Sequence, residues 1–349
     1  MNQSNGVKAS NAQSDILVAD GLRKVYGTRV ALHGLTFKLK AGRVLGFLGP
    51  NGAGKTTSIR MLTTMLEPTS GYFAVDGITS DHPQEIRRKI GVLPEGLGFP
   101  KHITGIDYLA FFGQLYGRTV VEAKTTGQRL LNDVGMQHRG DALVGTYSHG
   151  MRQRLGIARA LVNDPRVVFL DEPTLGLDPR GQAELLALIR RIAVERNTGV
   201  VLCSHLLSEI EGICDDVIIM NSGQMVAHGT VAEVIGQTPL DTVQRNAIRI
   251  RVAASDVART QQVLSALPGI KQVALSDTTG NWLSVELENR ELADVANGKN
   301  GSKDSGEDLL VRNKILAALI QADIPVRGFE AAGGRLQDVF LQLTAESIG

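Results

Sequence analysis

Short apolar runs of strand length alternate with segments of helical periodicity through the middle of the chain. The runs at 167–170, 200–204 and 217–220 are almost wholly apolar, which is typical of strands buried on both faces of a sheet. Residues 179–197, between the first two runs, repeat apolar positions at helical spacing. Because strands that alternate with helices favour a largely parallel sheet with helices on its faces, the pattern predicts an α/β fold.

The preceding part of the chain predicts additional strands and a helical insertion. Segments 16–25 and 30–39 are interpreted as strands, and a shorter strand is predicted at 71–75. From about residue 96 to residue 164 the pattern is helical, with no convincing strand. We therefore expect a helical subdomain at about 96–164 within the α/β core.

Residues 236–246 show neither helical nor strand periodicity and are interpreted as a linker. A second series of predicted strands and helices begins after them. Residues 247–349 predict the order β-α-β-β-α-β followed by one more helix, typical of a small ferredoxin-like α+β domain. A stretch rich in Gly, Ser, Asn and Asp at about 292–308 predicts a disordered loop in this accessory or regulatory domain.

Composition narrows the class of protein. A chain of 349 residues has room for two domains, here 15–235 and 247–349. Lysine and arginine total 37 and aspartate and glutamate 36, which gives a net charge of +1. A nearly neutral chain has no overall electrostatic field that would attract nucleic acid. No apolar run approaches the ~20 residues of a membrane helix, and residues 1–14 predict a disordered polar leader instead of a signal peptide. The two cysteines, Cys203 and Cys214, lie in apolar segments, which fits a reducing cytoplasm.

A glycine-rich turn lies between an apolar run at 44–48 and a segment with helical spacing at 58–66. It reads Gly-Pro-Asn-Gly-Ala-Gly-Lys-Thr-Thr and fills every fixed position of the phosphate-loop pattern. Backbone N–H groups and the dipole at the start of a helix attract phosphate. Lys55 is expected to contact the β- and γ-phosphates, and Thr56 to bind Mg²⁺. The loop residues expected to hold the nucleotide are Gly49, Asn51, Gly52, Ala53, Gly54, Lys55, Thr56 and Thr57.

Two carboxylates follow the apolar run at 167–170. Asp171 is expected to reach Mg²⁺ through its water shell, and Glu172 to polarise a water that attacks the γ-phosphate. Ordinary strands also end in solvated acids, so this interpretation depends on the phosphate loop upstream. Ser148 precedes another helical segment and can cap its N-terminus. The exposed N–H groups of that terminus either form an anion site or belong merely to a capped helix.

Together these segments resemble the ATP-binding cassette of ABC transporters, with all motifs in family order over about 16–235. The resemblance assigns the phosphate loop to 49–56, the signature to 147–151 and the D-loop to 173–178. It implies ATP and Mg²⁺ as cofactors and Glu172, His205 and Lys55 as catalytic residues, with His205 as the switch histidine. Further implied nucleotide contacts are Tyr26, which would stack on adenine, and Ser148, Gly150 and Asp178.

Two positions depart from the commonest family pattern. His149 replaces the first glycine of the signature and adds bulk where the backbone would approach phosphate. Glu95 stands where most members carry glutamine; its carboxylate beside Mg²⁺ either strengthens metal contact or alters coupling. Two features resemble those of the subfamily that serves ABC-2 type exporters. They are the glutamate at position 95 and the C-terminal domain, which ends in the segment 334–341.

The resemblance implies that two cassettes, in a homodimer or with a paired second cassette, hold each ATP between one phosphate loop and the other chain's signature. A separate membrane permease is the expected partner, which places the chain at the cytoplasmic face of the membrane; no nucleic acid is expected. Of five aromatic residues between 99 and 116, we expect one or two to line an exposed groove for the permease.

Two alternatives remain. A soluble ABC-type ATPase acting on DNA or ribosomes usually carries coiled coils, zinc-binding cysteines or tandem cassettes, none of which the sequence shows. A catalytically inactive regulatory cassette would not need the intact Lys55, Asp171, Glu172 and His205.

Overall fold

The computed structural model describes residues 14–96, 98–204, 206–237, 247–275, 281–287, 306–331 and 336–345. The chain divides into two compact units, Met1–Val234 with Leu343–Gly349, and Ile235–Gln342. No helix within the described ranges has both the length and the apolar character needed to cross a membrane.

The elements up to residue 237 are as follows. The strands are β1 (Asp15–Tyr26), β2 (Arg29–Lys40), β3 (Val44–Leu48), β4 (Ser70–Val75), β5 (Ile78–Thr79), β6 (Ile90–Leu93), β7 (Val167–Asp171), β8 (Gly199–Cys203), β9 (Asp216–Asn221) and β10 (Gln224–Thr230). The α-helices are α1 (Lys55–Leu62), α2 (Pro83–Lys89), α3 (Gly105–Leu115), α4 (Val120–Asp133), α5 (His149–Ala160), α6 (Pro179–Glu195), α7 (Leu207–Ile213) and α8 (Val231–Gln237).

A six-stranded sheet with the order β10-β9-β3-β8-β7-β6 forms the centre of the first unit. Its strands from β9 to β6 are parallel, and β10 is added antiparallel at one edge. All five residues of β3 and all five of β8 are buried, as continuous apolar runs predict. The predicted α/β fold with a largely parallel sheet is confirmed.

A second sheet, antiparallel and ordered β2-β1-β4-β5, covers the apolar core. The sequence predicted three of its strands but not their pairing into a separate sheet over the core. Phe37 of β2 packs edge-on against Phe47 of β3, with ring centroids 5.6 Å apart. One cluster of buried residues includes side chains from both sheets and from α1, so this core depends on packing between sheets that local periodicity does not encode.

The predicted helical subdomain consists of α3, α4 and α5. The Thr104 side chain accepts a hydrogen bond from Asp107 N and caps α3, while Thr119 and Glu122 form a reciprocal capping box at α4. α5 packs so closely on β6 that a Cβ atom on Gly91 would lie 2.1 Å from the carbonyl oxygen of Ala160. This contact joins the helical subdomain to the edge of the main sheet.

The second unit has the predicted ferredoxin-like arrangement. Its elements are β11 (Ala247–Arg251), α9 (Val257–Ser265), β12 (Ile270–Leu275), β13 (Trp282–Leu287), α10 (Gly306–Gln321) and β14 (Gly328–Ala331), and α11 (Leu336–Ala345) follows. The sheet order is β12-β13-β11-β14, with every neighbouring pair antiparallel. Ile248, Ile250 and Val285 from the sheet form a buried core with Ile315 and Leu319 of α10.

Two predicted segment bounds differ from the observed elements. Helix α8 continues through Gln237 into the predicted linker at 236–246, and α10 begins at Gly306, inside the predicted loop at about 292–308. Residues 1–13, 238–246 and 288–305 lie outside the described residues, so the leader, linker and loop remain predictions there.

Replacing Gly91 with alanine is expected to lower the thermal unfolding midpoint by about 3–10 °C, because overpacking against backbone costs ~1–3 kcal/mol. Circular dichroism of the purified chain measures this midpoint. Gly212 in α7 has open space around its would-be Cβ, so Gly212→Ala is the matched control and should leave the midpoint unchanged or slightly higher. Equal midpoints for Gly91→Ala and the wild type would contradict the close packing.

Candidate active site

Three parallel strands bring the candidate site together at their carboxyl ends. The register pairs Phe47 of β3 with Cys203 of β8, and Cys203 with Asp171 of β7. The phosphate loop follows β3, and Glu172 follows β7 directly. Since these strand ends share one edge of the sheet, segments far apart in the sequence converge there.

The phosphate loop presents the uncapped N-terminus of α1. Gly54 occupies the N-cap position with φ of 102°, no side chain caps the helix, and its first turn contains no acidic residue. The backbone N–H groups of this turn are therefore suited to an anion. Lys55 Nζ donates hydrogen bonds to the carbonyl oxygens of Gly49 at 2.5 Å and Pro50 at 3.1 Å, so the ammonium group lies over the loop.

A cavity of about 810 Å³ opens at this loop. The predicted residues that line it are Tyr26, Asn51, Gly52, Ala53, Gly54, Lys55, Thr56 and Thr57. Gly49 lies at the end of β3, where a Cβ atom would be 2.5 Å from the carbonyl oxygen of Met220. Tyr26 is 49% exposed, and Lys24 Nζ lies 5.4 Å from its ring centroid. The structure therefore places Tyr26 and the loop residues around a single cavity.

Sequence reasoning missed five further residues that line this cavity, namely Arg29, Val30, Ala31, Ser222 and Gly223. Gly223 lies in the turn between β9 and β10; its N–H donates to Ala53 O at 3.0 Å, and its carbonyl accepts from His33 N at 2.9 Å. This turn therefore braces the phosphate loop from β2 and β9. The Ser-Gly pair after a predicted strand is a turn signal, but no local pattern connects it to the loop.

Two carboxylates, Asp171 and Glu172, lie at the end of β7. Burial raises the pKa of Asp171, and the neighbouring charge of Glu95 raises it further, while Lys55 and Arg60 oppose the shift. Glu172 adopts φ of 49°, which is uncommon for a non-glycine residue, and its N–H donates to Cys203 O at 3.0 Å. Glu95 is exposed just beyond β6. Glu95 and Lys55 thus act electrostatically on the Asp171 carboxyl group.

The predicted signature and D-loop residues line a separate cavity of about 390 Å³, which includes Ser148, Gly150 and Asp178. Ser148 Oγ accepts a hydrogen bond from Met151 N and caps α5, and Asp178 Oδ1 accepts one from Gly181 N and caps α6. None of these three residues lines the phosphate-loop cavity. His205, the predicted switch histidine, lies outside the described residues, and its role remains a prediction.

The His149 ring contacts the D-loop of its own chain. Its Nε2 atom is 2.7 Å from the carbonyl oxygen of Leu175, and Gly176 at φ of 78° leaves room beside the ring. Because a carbonyl oxygen only accepts hydrogen bonds, this contact assigns the proton to Nε2. The side chain of His149, which was expected to add bulk where the backbone approaches phosphate, thus joins the signature to the D-loop.

Comparison with known proteins agrees with this arrangement. Residues 32–175 match the family model described as ABC transporter. The daunorubicin/doxorubicin resistance ATP-binding protein DrrA of Streptomyces peucetius is 35% identical over 93% of this chain and 91% of its own length. The chain belongs to the ABC transporter family of ATP-binding proteins.

Two further comparisons support the membership. The bacitracin transport ATP-binding protein BcrA of Bacillus licheniformis is 42% identical over 61% of this chain and 69% of its own length. The structure of CbiO1 from Clostridium perfringens, part of the ABC transporter complex CbiONQ, superposes with a TM-score of 0.59 at 28% identity and covers 64% of this chain and 91% of CbiO1.

As an ABC transporter ATPase, the chain binds and hydrolyses ATP to drive transport. The alternative of an ATPase acting on DNA or ribosomes receives no support, because the relatives above are resistance and transport proteins. The fold is that of the phosphate-loop cassette with its helical subdomain.

Replacing His149 with alanine removes the hydrogen bond to Leu175 O. One such bond contributes ~1 kcal/mol net, so amide hydrogen exchange in the D-loop is expected to become about fivefold faster. Mass spectrometry of peptides that cover 173–178 measures this rate. His138 is an exposed histidine elsewhere in the first unit, so His138→Ala is the control; equal D-loop exchange in the two variants would refute the anchoring contact.

Proposed function

We propose that this chain is the ATPase subunit of an exporter for amphiphilic, antibiotic-like molecules and works with a separate membrane permease. The observation that carries the proposal is the extent of the similarity to DrrA. A match over 93% of the chain extends well into the Ile235–Gln342 unit, beyond what a shared cassette alone requires. The relative is named for resistance to two drugs, and removal of a drug by transport is one route to resistance.

The phosphate-loop cavity is the proposed ATP site. The triphosphate lies against the N-terminus of α1, where helix N–H groups and Lys55 oppose its charge, and adenine stacks on the half-exposed ring of Tyr26. Support comes from the lining of a single cavity by Tyr26 and by the loop residues 51–57. Arg29 also lines this cavity and adds positive charge near the nucleotide.

The donor set beside the loop fits Mg²⁺. Hydroxyl and carboxylate oxygens are the ligands that this cation prefers, and Thr56 and Asp171 provide one of each. The raised pKa of Asp171 reflects burial and the charge of Glu95, so a cation relieves an electrostatic cost already present. Thr56, Asp171 and Glu95 would hold Mg²⁺, which neutralises phosphate charge when it is bound.

Glu172 is the proposed general base. Its carboxylate takes a proton from a water whose oxygen attacks the γ-phosphorus, and the bond from that phosphorus to the bridging oxygen of the β-phosphate breaks. ADP and inorganic phosphate leave, and the proton passes to solvent. His205 is proposed to contact the γ-phosphate, as the resemblance implies.

A second copy of the chain completes the site. Ser148, Gly150 and Asp178 line a cavity distinct from that of the phosphate loop, which supports a head-to-tail pair in which each signature faces the other chain's ATP. The N-terminus of α5 and the Ser148 hydroxyl then meet the γ-phosphate across the interface. Loss of that phosphate removes these contacts and opens the dimer.

The permease is proposed to dock on the helical subdomain. Phe111 is 55% exposed, Leu115 65% and Tyr116 43%, so α3 and its C-terminal end expose three large apolar side chains, whereas Tyr108 is buried. Phe112 and Tyr116 also line a cavity of about 270 Å³ with Arg159. Such a patch supports a protein partner. Docking of the permease there is proposed to hold the chain peripherally at the cytoplasmic face of the membrane.

Replacing Glu172 with glutamine is expected to lower ATP turnover by at least 10²-fold, because the amide cannot take the proton. The variant should still bind ATP and accumulate as a dimer. Phosphate release and size-exclusion chromatography with ATP measure these two properties. Glu195→Gln, an exposed glutamate at the end of α6, is the matched control; turnover by Glu172→Gln at the control's rate would refute the base assignment.

Replacing Phe111 with aspartate should leave the chain's own ATP turnover within about twofold, because the residue lies outside the nucleotide cavity. It is expected to abolish co-purification with the proposed permease, since a charge then faces the apolar contact. Val194→Asp is the control, because Val194 is 57% exposed on α6, outside the proposed patch. Equal recovery of permease with both variants would contradict docking at α3.

A further inference from the structure

A carboxylate that plays no part in the assignments above is buried beneath the D-loop. Glu209 of α7 is only 5% exposed, and its Oε2 atom accepts hydrogen bonds from Thr174 Oγ1 at 2.8 Å and from Ser204 Oγ at 2.7 Å. Each of these hydroxyl residues is 1% exposed. Burial of a carboxylate costs free energy that only such contacts offset, so this arrangement requires a physical explanation.

The two hydroxyl groups belong to the segments that leave β7 and β8. Thr174 lies two residues beyond Glu172, in the D-loop, whereas Ser204 follows β8 and immediately precedes position 205. Backbone hydrogen bonds join the same segments, because Glu172 N donates to Cys203 O at 3.0 Å and Leu175 N donates to Glu172 O at 3.2 Å. A single oxygen of Glu209 therefore connects the turn that carries Glu172 to the end of β8.

That turn is strained. Glu172 has φ of 49°, a backbone conformation that costs free energy for a residue with a side chain and persists only where the surroundings hold it. On its C-terminal side, the contact from Thr174 to Glu209 anchors this turn to α7. Release of this anchor would let the backbone at Glu172 relax and move its carboxylate.

We propose that Glu209 is a positioning residue for ATP hydrolysis, which holds the Glu172 turn against the end of β8 through Thr174 and Ser204. Glu209 acts through Glu172 and touches neither the nucleotide nor the attacking water. The proposal rests on the assignment of Glu172 as the general base.

The hydrogen-bond directions determine which substitution is conservative. Ser204 Oγ accepts from Leu206 N at 3.1 Å, so its own proton is given to Glu209, and Oε2 serves as an acceptor for both hydroxyl groups. The other oxygen, Oε1, is buried and makes no hydrogen bond to the described residues. Glutamine can place its carbonyl oxygen at the Oε2 position and keep both bonds, whereas alanine loses both.

The test is steady-state ATP hydrolysis by the purified full chain with Mg²⁺, with kcat and KM measured separately. Glu209→Ala is expected to lower kcat about 10- to 100-fold and to leave KM within about twofold, since misplacement of a reacting group affects the chemical step. Glu209→Gln should retain kcat within about threefold. Glu211→Ala, in the same helix, is the matched control and should retain wild-type kcat.

Two further comparisons separate positioning from a general loss of structure. In the Glu172→Gln background, Glu209→Ala should cause no additional loss of turnover, because its effect passes through the missing carboxylate. Thr174→Val and Ser204→Ala each remove one of the two contacts and are expected to lower kcat about three- to tenfold. These two variants remain informative even where Glu209→Ala fails to fold.

The proposal is overturned if Glu209→Ala keeps wild-type kcat, if Glu209→Gln is as impaired as Glu209→Ala, or if both hydroxyl variants keep wild-type kcat. It is also overturned if Glu209→Ala slows the Glu172→Gln variant as much as it slows the wild type. Wild-type turnover by Glu172→Gln itself has a different meaning: the base assignment is then wrong, and the positioning role fails with it. The single Glu172→Gln variant therefore distinguishes the two failures.

Discussion

Parallel pairing of β3, β8 and β7 is the constraint on which the site depends. Cys203 lies in register with Phe47 on one side and Asp171 on the other. The phosphate loop and the carboxylate pair therefore leave the sheet at the same edge, although more than a hundred residues separate them in the sequence. Burial raises the pKa of the Cys203 thiol far above its usual range, so this central position contributes packing and no thiolate chemistry.

Around that edge, backbone and polar side chains hold the loops in place. The turn at Gly223 donates to the phosphate loop, His149 contacts the carbonyl oxygen of Leu175, and Glu209 accepts hydrogen bonds from Thr174 and Ser204. The D-loop is therefore anchored on two sides, towards the signature helix and towards the end of β8. A motion of α5 would therefore be transmitted through the contact of His149 with Leu175 to the segment that follows Glu172.

Local sequence patterns predicted the elements that are determined by neighbours along the chain. The phosphate loop, the Ser148 cap of α5 and the continuous apolar strands depend on residues within a few positions of each other. The pairing of β1, β2 and β4 into a separate sheet depends on packing such as that of Phe37 on Phe47, which periodicity does not specify. Arg29 and Gly223 were missed for the same reason, because their role arises only when distant segments meet.

The sequence by itself determined the chemistry of this protein: a phosphate loop, a strand-end carboxylate pair and a signature segment in the order of an ABC ATPase. Each of these motifs is a short run whose residue types suffice to identify it. Only the tertiary structure decided that the ring of His149 contacts Leu175 and that Glu209 is buried between Thr174 and Ser204. Hydrogen bonds between remote segments depend on the register of a sheet and on close packing of its helices, and no local pattern contains that information.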